Sequence, residues 1–336
     1  MIVPIRRPGV FAATIAAFCV VLSVAGAVVL MDGALHIPRR PLTGGQQFNA
    51  SIARWAPEGA IRATVTATDG TALRGWYVRP VIANGDAVIL LHGVADNRLG
   101  VVHFAPMLLS AGYSVLLPDS RAHGESGGDV ATYGLLESGD IRRWIKWIDA
   151  HQSGGGKPGA GCVYLLGESM GAAIALQAAS APQVCAVVAE APFASFREIA
   201  YERIAQGLRV NISISHVVAY PLVNAAFLYA RLRYGLDFNT VSPEKALAAP
   251  HAPALLIAGL KDDNIPPRHA ERIIRLVGPP CELWRVPGAG HTTSASVDPD
   301  GFQRRVLSWF AVHRQVSDLH SQRADASRLT SVAALP

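Results

Sequence analysis

A serine, an aspartate and a histidine stand in this 336-residue chain in an order that suits acyl transfer. The stretch "LLGESMGAAIALQAAS" (165–180) sets Gly167 and Gly171 two residues either side of Ser169. One glycine suffices for a turn. Two of them, between an apolar run and an alanine-rich helix, mean that chain passes close to the serine on both sides. This is the G-x-S-x-G elbow, in which a sharp strand-to-helix turn holds the hydroxyl proud of a sheet. A serine needs a base to take its proton, and the base needs a carboxylate to orient it. Downstream, "ALLIAGLKDDNIP" (254–266) puts Asp262 three residues past Gly259, and "CELWRVPGAGH" (281–291) ends on His291 after two loop glycines. Ser169, Asp262 and His291 are the expected nucleophile, orienting acid and base. Asp263 and Glu190 are alternative acids, for which loop hydrogen bonding is the plainer expectation.

Acyl transfer also needs donors for a developing oxyanion. The backbone N–H of Met170, at the start of the helix after the serine, is one. The second is expected from Val94 in "LLHGVADN" (90–97), where Gly93 permits a close turn. His92 is expected to brace that loop and is assigned no chemistry. "DSRAHGESGG" (119–128) lacks the Gly-Lys-Ser/Thr of a phosphate loop and reads as a structured loop beside the site. The eleven histidines show no H-E-x-x-H spacing, so no metal site is expected.

These residues need a sheet to position them. "IRATVTATDGTALRGWYVRP" (61–80) alternates around Asp69-Gly70 as a hairpin does. Six short apolar runs follow, at 87–93, 113–119, 162–168, 186–192, 254–260 and 281–288, apolar enough for parallel strands buried on both faces. Helical patterns lie between them, over 133–150, from Ser169, over His269–Val277 and over Phe302–Val312. Strand and helix in alternation predict a doubly wound, mostly parallel α/β sheet over 59–314. About 193–250 shows no strong strand and reads as an inserted helical lid. Residues 315–336 lose periodicity and read as a flexible tail.

The N-terminus carries a different signal. Val10–Met31 holds no charge over 22 residues and follows Arg6 and Arg7, long enough for one membrane-spanning helix of roughly 20 residues. Residues 1–9 are then expected on the cytoplasmic side, 32–58 as a tether, and the catalytic domain on the non-cytoplasmic side. Ala25-Gly26-Ala27 leaves a cleaved signal, and hence secretion, as the alternative. A net charge of +5 without a basic run longer than a pair gives no nucleic-acid signature. Of the four cysteines, Cys162 and Cys185 begin predicted strands and read as small buried residues. A bridge between them stays open in an oxidising compartment.

Together HGxAxN (92–97), DSRAHGESGG, GESMG, GxxDDxIP (259–266) and GAGH (288–291) resemble the α/β-hydrolase superfamily. The likeness is to its single-domain branch with serine-aminopeptidase-like and esterase-like members, over about residues 60–314. Ala122 stands where that loop often has glycine. The resemblance implies an acyl-transfer hydrolase without a cofactor. An ester or thioester of a small-molecule or lipid-like acyl substrate is the expected target. Acyl transfer to an alcohol, amide or peptide cleavage, and a non-catalytic binding protein are the alternatives.

Overall fold

The computed structural model describes residues 8–152 and 161–314. Two compact units divide them: Ile37–Ser195 with the chain from Ser242 onward, and the N-terminal segment through His36 with Phe196–Val241.

The larger unit is built on an eight-stranded sheet. Its strands are β1 (Ile61–Thr66), β2 (Ala72–Val78), β3 (Ala87–Leu91), β4 (Ser114–Pro118), β5 (Val163–Glu168), β6 (Val184–Glu190), β7 (Ala254–Gly259) and β8 (Cys281–Val286). Their spatial order is β1-β2-β4-β3-β5-β6-β7-β8. β1 and β2 form the expected hairpin, closed by Gly70 at φ +83° and by the Thr71 N–H donating to Asp69 Oδ1. β2 meets β4 antiparallel, and from β4 onward every pairing is parallel. β3, β4, β5 and β7 are buried at every position, which is why their sequences carry almost no polar residue.

Helices cover both faces. One core layer joins α4 (Glu137–Gln152), α5 (Met170–Gln177) and α10 (Arg268–Val277) to the sheet, with Trp144, Ile145, Ile174 and Ile273 buried in it. The other uses α2 (Gly45–Ile52), α3 (Ala105–Ser110) and a helix over 299–314, through Phe48, Ile52, Leu108, Phe302 and Phe310. α2 lies in the stretch expected to be a tether. It is anchored instead, with Phe48 stacked on Trp76 at 5.5 Å.

α4 also starts later than the pattern suggests, at Glu137. The Glu137 carboxylate accepts from the N–H groups of Thr132 and Gly134, both at 2.7 Å, and from the Thr132 hydroxyl. That knot holds 132–136 as a turn, with Tyr133 at φ +55°. Cys162 and Cys185 are joined as a disulfide, a correction to their reading as separate buried residues. The register explains it, since Val163 pairs with Val184 across β5 and β6 and brings the neighbouring cysteines together.

The smaller unit contains α1 (Pro8–Leu35), α6 (Phe196–Leu208), α7 (Ile212–Val218) and α8 (Tyr220–Tyr234). The expected insertion is therefore helical, but narrower than 193–250. From Ser242, where α9 (Pro243–Ala246) follows, the chain belongs to the larger unit. α1 packs along α8, and Ala27, Met31 and Leu35 are buried. Asp32 accepts hydrogen bonds from the hydroxyls of Tyr229 at 3.1 Å and Tyr234 at 2.7 Å. Burial first, then hydrogen bonding to Asp32 and Tyr229, push the Tyr234 phenol above the usual tyrosine range. The expected membrane span over Val10–Met31 is not supported. Among the described residues no single helix is long and apolar enough to cross a membrane. The expected tail at 315–336 lies outside the described residues.

Candidate active site

β5 delivers the chain to Ser169 and α5 carries it away. Between them Ser169 takes φ +53° and ψ −116°, a conformation that an L-residue adopts only when its surroundings force it. The two glycines show what forces it. A Cβ at Gly171 would fall 2.1 Å from the Leu91 carbonyl oxygen, and one at Gly167 would fall 2.3 Å from the Gly171 carbonyl oxygen. These obstacles are backbone and cannot swing aside. The turn is pinned further by the Ser169 N–H donating to the Glu190 carbonyl at 2.9 Å.

The acid and base arrive on adjacent strands. β7 ends at Gly259, where a Cβ would meet the carbonyl oxygens of Ala289 and Gly290 at 2.5 Å. The loops after β7 and β8 therefore lie in contact, joined by the Lys261 N–H donating to the Ala289 carbonyl at 2.8 Å. That places His291 Nδ1 2.8 Å from Asp262 Oδ2 and His291 Nε2 3.0 Å from Ser169 Oγ. A carboxylate only accepts, so the Asp262 contact assigns the proton of a neutral imidazole to Nδ1. Nε2 is left as the acceptor for the serine hydroxyl. The second oxygen of Asp262, Oδ1, accepts the N–H groups of Asn264 at 2.9 Å and Ile265 at 2.8 Å. Asp262 is buried with both oxygens engaged, whereas Asp263 beside it is exposed.

Two backbone N–H groups lie next to this chain of side chains in the sequence of the elbow and of the loop after β3. Met170 opens α5, and Val94 follows Gly93, where a Cβ would lie 3.6 Å from Ser169 Cβ. Among the described residues neither the Met170 nor the Val94 N–H has an acceptor. Their loop is held from behind. His92 Nδ1 meets the Gly93 carbonyl at 2.8 Å while its Nε2 accepts the Ser120 N–H at 3.0 Å. His123 Nε2 accepts the N–H of Ala95 at 3.3 Å. Burial, reinforced by His123, brings the His92 pKa down to about 4, so it braces as a neutral ring. The 119–128 loop is fixed by ion pairs: Arg98 to Asp119, and Arg121 to Asp140 and Asp69 at 2.8 Å each.

Two carboxyl groups near the elbow were not singled out from the sequence as a pair. Glu168 and Glu190 end β5 and β6 in register with each other. Glu190 Oε1 accepts the Ser294 N–H at 2.8 Å, which ties down the helical turn α11 (Ser294–Val297) behind His291, while its Oε2 is buried without a hydrogen bond. Burial raises the Glu190 pKa. Burial first, then Glu190 and Asp96, raise that of Glu168 to about 8. The sequence signal was available in two glutamates closing neighbouring apolar strands, but their pairing depends on sheet order. Among the described residues no group of three or more His, Cys, Asp or Glu side chains is placed to hold a metal ion.

A strained serine on a strand-to-helix turn, a downstream acid and base on successive parallel strands, and this strand order define one class of protein. The chain belongs to the alpha/beta hydrolase family, whose model matches residues 88–305. Among relatives, protein YqkD of Bacillus subtilis is 29% identical over 70% of this chain and 74% of its own. Protein MT2364 of Mycobacterium tuberculosis is 31% identical over 72% of this chain and 74% of its own. Among solved structures, the Pyrococcus furiosus esterase Pf2001 superposes with a TM-score of 0.62 at 22% identity, covering 82% of this chain and 98% of that one. That likeness is one of fold.

Proposed function

We propose that the protein is a serine hydrolase cleaving an ester or thioester of an acyl substrate through a covalent acyl-enzyme. Ser169 Oγ attacks the carbonyl carbon while His291 Nε2 takes its proton, and Asp262 holds the resulting imidazolium. The N–H groups of Val94 and Met170 receive the oxyanion. Collapse expels the alcohol or thiol, which takes the proton back from His291. Water, deprotonated by the same nitrogen, then attacks the acyl group and releases the carboxylic acid, restoring the serine.

The observation that carries this reading is the unbroken Ser169–His291–Asp262 chain, at 3.0 and 2.8 Å, beside two free N–H groups. A panel of p-nitrophenyl esters and matching thioesters of increasing chain length tests it, with Ser169→Ala as the control. Turnover lost in that variant supports the reading. No turnover of any ester by the folded chain, or turnover unchanged in Ser169→Ala, removes it. Ester product formed from an added alcohol would assign acyl transfer instead.

The catalytic domain is proposed to work on the non-cytoplasmic side. The Cys162–Cys185 disulfide supports this, because such bonds persist in oxidising compartments. α1 is proposed as the part that meets a lipid surface, since Phe18, Val21, Val24 and Val29 are all more than half exposed.

A further inference from the structure

Away from the triad, the first two strands carry a positively charged hollow. β1 and β2 pair Arg62 with Trp76 and Thr64 with Arg74, and side chains two apart on a strand share a face. Arg62, Thr64, Arg74 and Trp76 therefore crowd one side of the hairpin. The Arg98 guanidinium lies over the Trp76 ring, 5.1 Å from its centroid. Between them is a cavity of about 460 Å³, lined by Arg62, Thr64, Arg74, Arg98 and Glu125 among others. That is the size of a small-molecule pocket, whose usual range is roughly 300–1,000 Å³.

The hydrogen bonding of this wall is incomplete. Arg98 is fully buried, and its Nη2 donates to Asp119 and, at 3.1 Å, to Glu125. Its Nε–H is buried with no acceptor. A buried donor left unmade costs more than a typical hydrogen bond contributes, so such groups are rare unless something else completes them. Arg62 and Arg74 add two guanidiniums that have no ion pair among the described residues. Three guanidiniums against the carboxylates of Asp119 and Glu125 leave one positive charge in excess. A phosphate brings more acceptor oxygens than a carboxylate to the Arg98 Nε–H and the two unpaired guanidiniums. Guanidinium forks also fit the spacing of its oxygens.

We infer that this hollow is a binding site for a phosphate group, carried by a small phosphorylated molecule or by a phospholipid headgroup. The site is distinct from the hydrolytic one, since neither Ser169 nor His291 lines it.

Calorimetric titration of the full-length chain with inorganic phosphate, at constant ionic strength and with acetate as comparison, reads the site directly. Vesicles of phosphatidylcholine with and without phosphatidic acid provide the second arm. Saturable binding of one phosphate per chain is expected, weakened about tenfold or more by Arg62→Gln with Arg74→Gln, as the loss of charge-assisted hydrogen bonds predicts. Both positions are exposed, so the double variant should fold and should keep its labelling at Ser169 by a fluorophosphonate. Ser169→Ala should bind phosphate as the wild type does, which separates this inference from the hydrolase reading. Binding confined to phosphatidic acid vesicles, and lost in the double variant, identifies a headgroup ligand. Free-phosphate binding identifies a soluble one. The inference is overturned if neither arm binds, if acetate binds as tightly as phosphate, or if the double variant binds unchanged.

Discussion

Three carboxylates stand within reach of the same imidazole loop, and their environments separate their roles. Asp262 holds His291 Nδ1, Asp263 faces solvent, and Glu190 holds the Ser294 N–H. Asp262→Asn should therefore leave the fold and KM nearly unchanged while lowering kcat by up to about 10⁴, the scale of losing the histidine's orientation. Asp263→Asn should be near neutral. Glu190→Gln can keep the Ser294 bond and should cost far less than Asp262→Asn. Steady-state rates on one activated ester rank the three, and a larger loss from either neighbour would reassign the acid. Glu168 makes a second prediction, in stability. Its folded pKa near 8 exceeds the unfolded carboxyl value, so the folded state holds a proton that the unfolded state has released. Stability from this group is then greatest below about pH 4.5 and is lost as pH rises toward 8. Glu168→Gln should raise Tm relative to wild type by several °C at pH 8.5, on the order expected for one or two kcal/mol in a domain this size. The gain should vanish at pH 4.5. Equal gains at both pH values would contradict the buried proton.

At the scale of elements, the sheet was the most legible part of the chain. Each apolar run lies on a strand, and in β3, β4, β5 and β7 burial on both faces leaves no room for polar alternation. The misreadings fell where long-range contacts override local texture. The stretch that holds α2 looked like a tether because it contains Pro38, Pro41 and Gly44-Gly45, and only the docking of Phe48 on Trp76 shows that it is packed. The delayed start of α4 depends on one carboxylate gathering three donors, a geometry that periodicity does not reveal. The disulfide was hidden for a similar reason: β5 and β6 must be neighbours before Cys162 and Cys185 are. Of the site, the three side chains that the structure brings together, Ser169, Asp262 and His291, were readable from spacing after strands, whereas the Glu168–Glu190 pair needed the register. The elbow gives the test at this scale. Gly171→Ala drives a methyl against the Leu91 carbonyl and should unfold the chain or remove its activity. Gly139→Ala, in α4 with nothing within 4 Å of the added Cβ, should stabilise by about 0.4–1 kcal/mol. Chemical denaturation of both variants measures the contrast, and similar midpoints would mean that the close approach at Gly171 is misread.

At the scale of the whole molecule, the disulfide and the triad bear on different properties. Cys162 and Cys185 close a loop with a sequence separation of 23. Chain-entropy reasoning gives such a loop about 3 kcal/mol of stabilisation. Reduction should lower the denaturation midpoint by that order while leaving the initial ester rate of the still-folded protein unchanged. A reduced protein as stable as the oxidised one would deprive the bridge of that role. The central claim is that Ser169 is a nucleophile activated by His291, and a fluorophosphonate probe tests it most directly. Intact-mass and peptide mapping of the treated full-length chain should find one adduct per molecule, on Ser169. The adduct should be absent in Ser169→Ala and should form orders of magnitude more slowly in His291→Ala. A folded chain that takes no label, or that carries it on another residue, would contradict the claim.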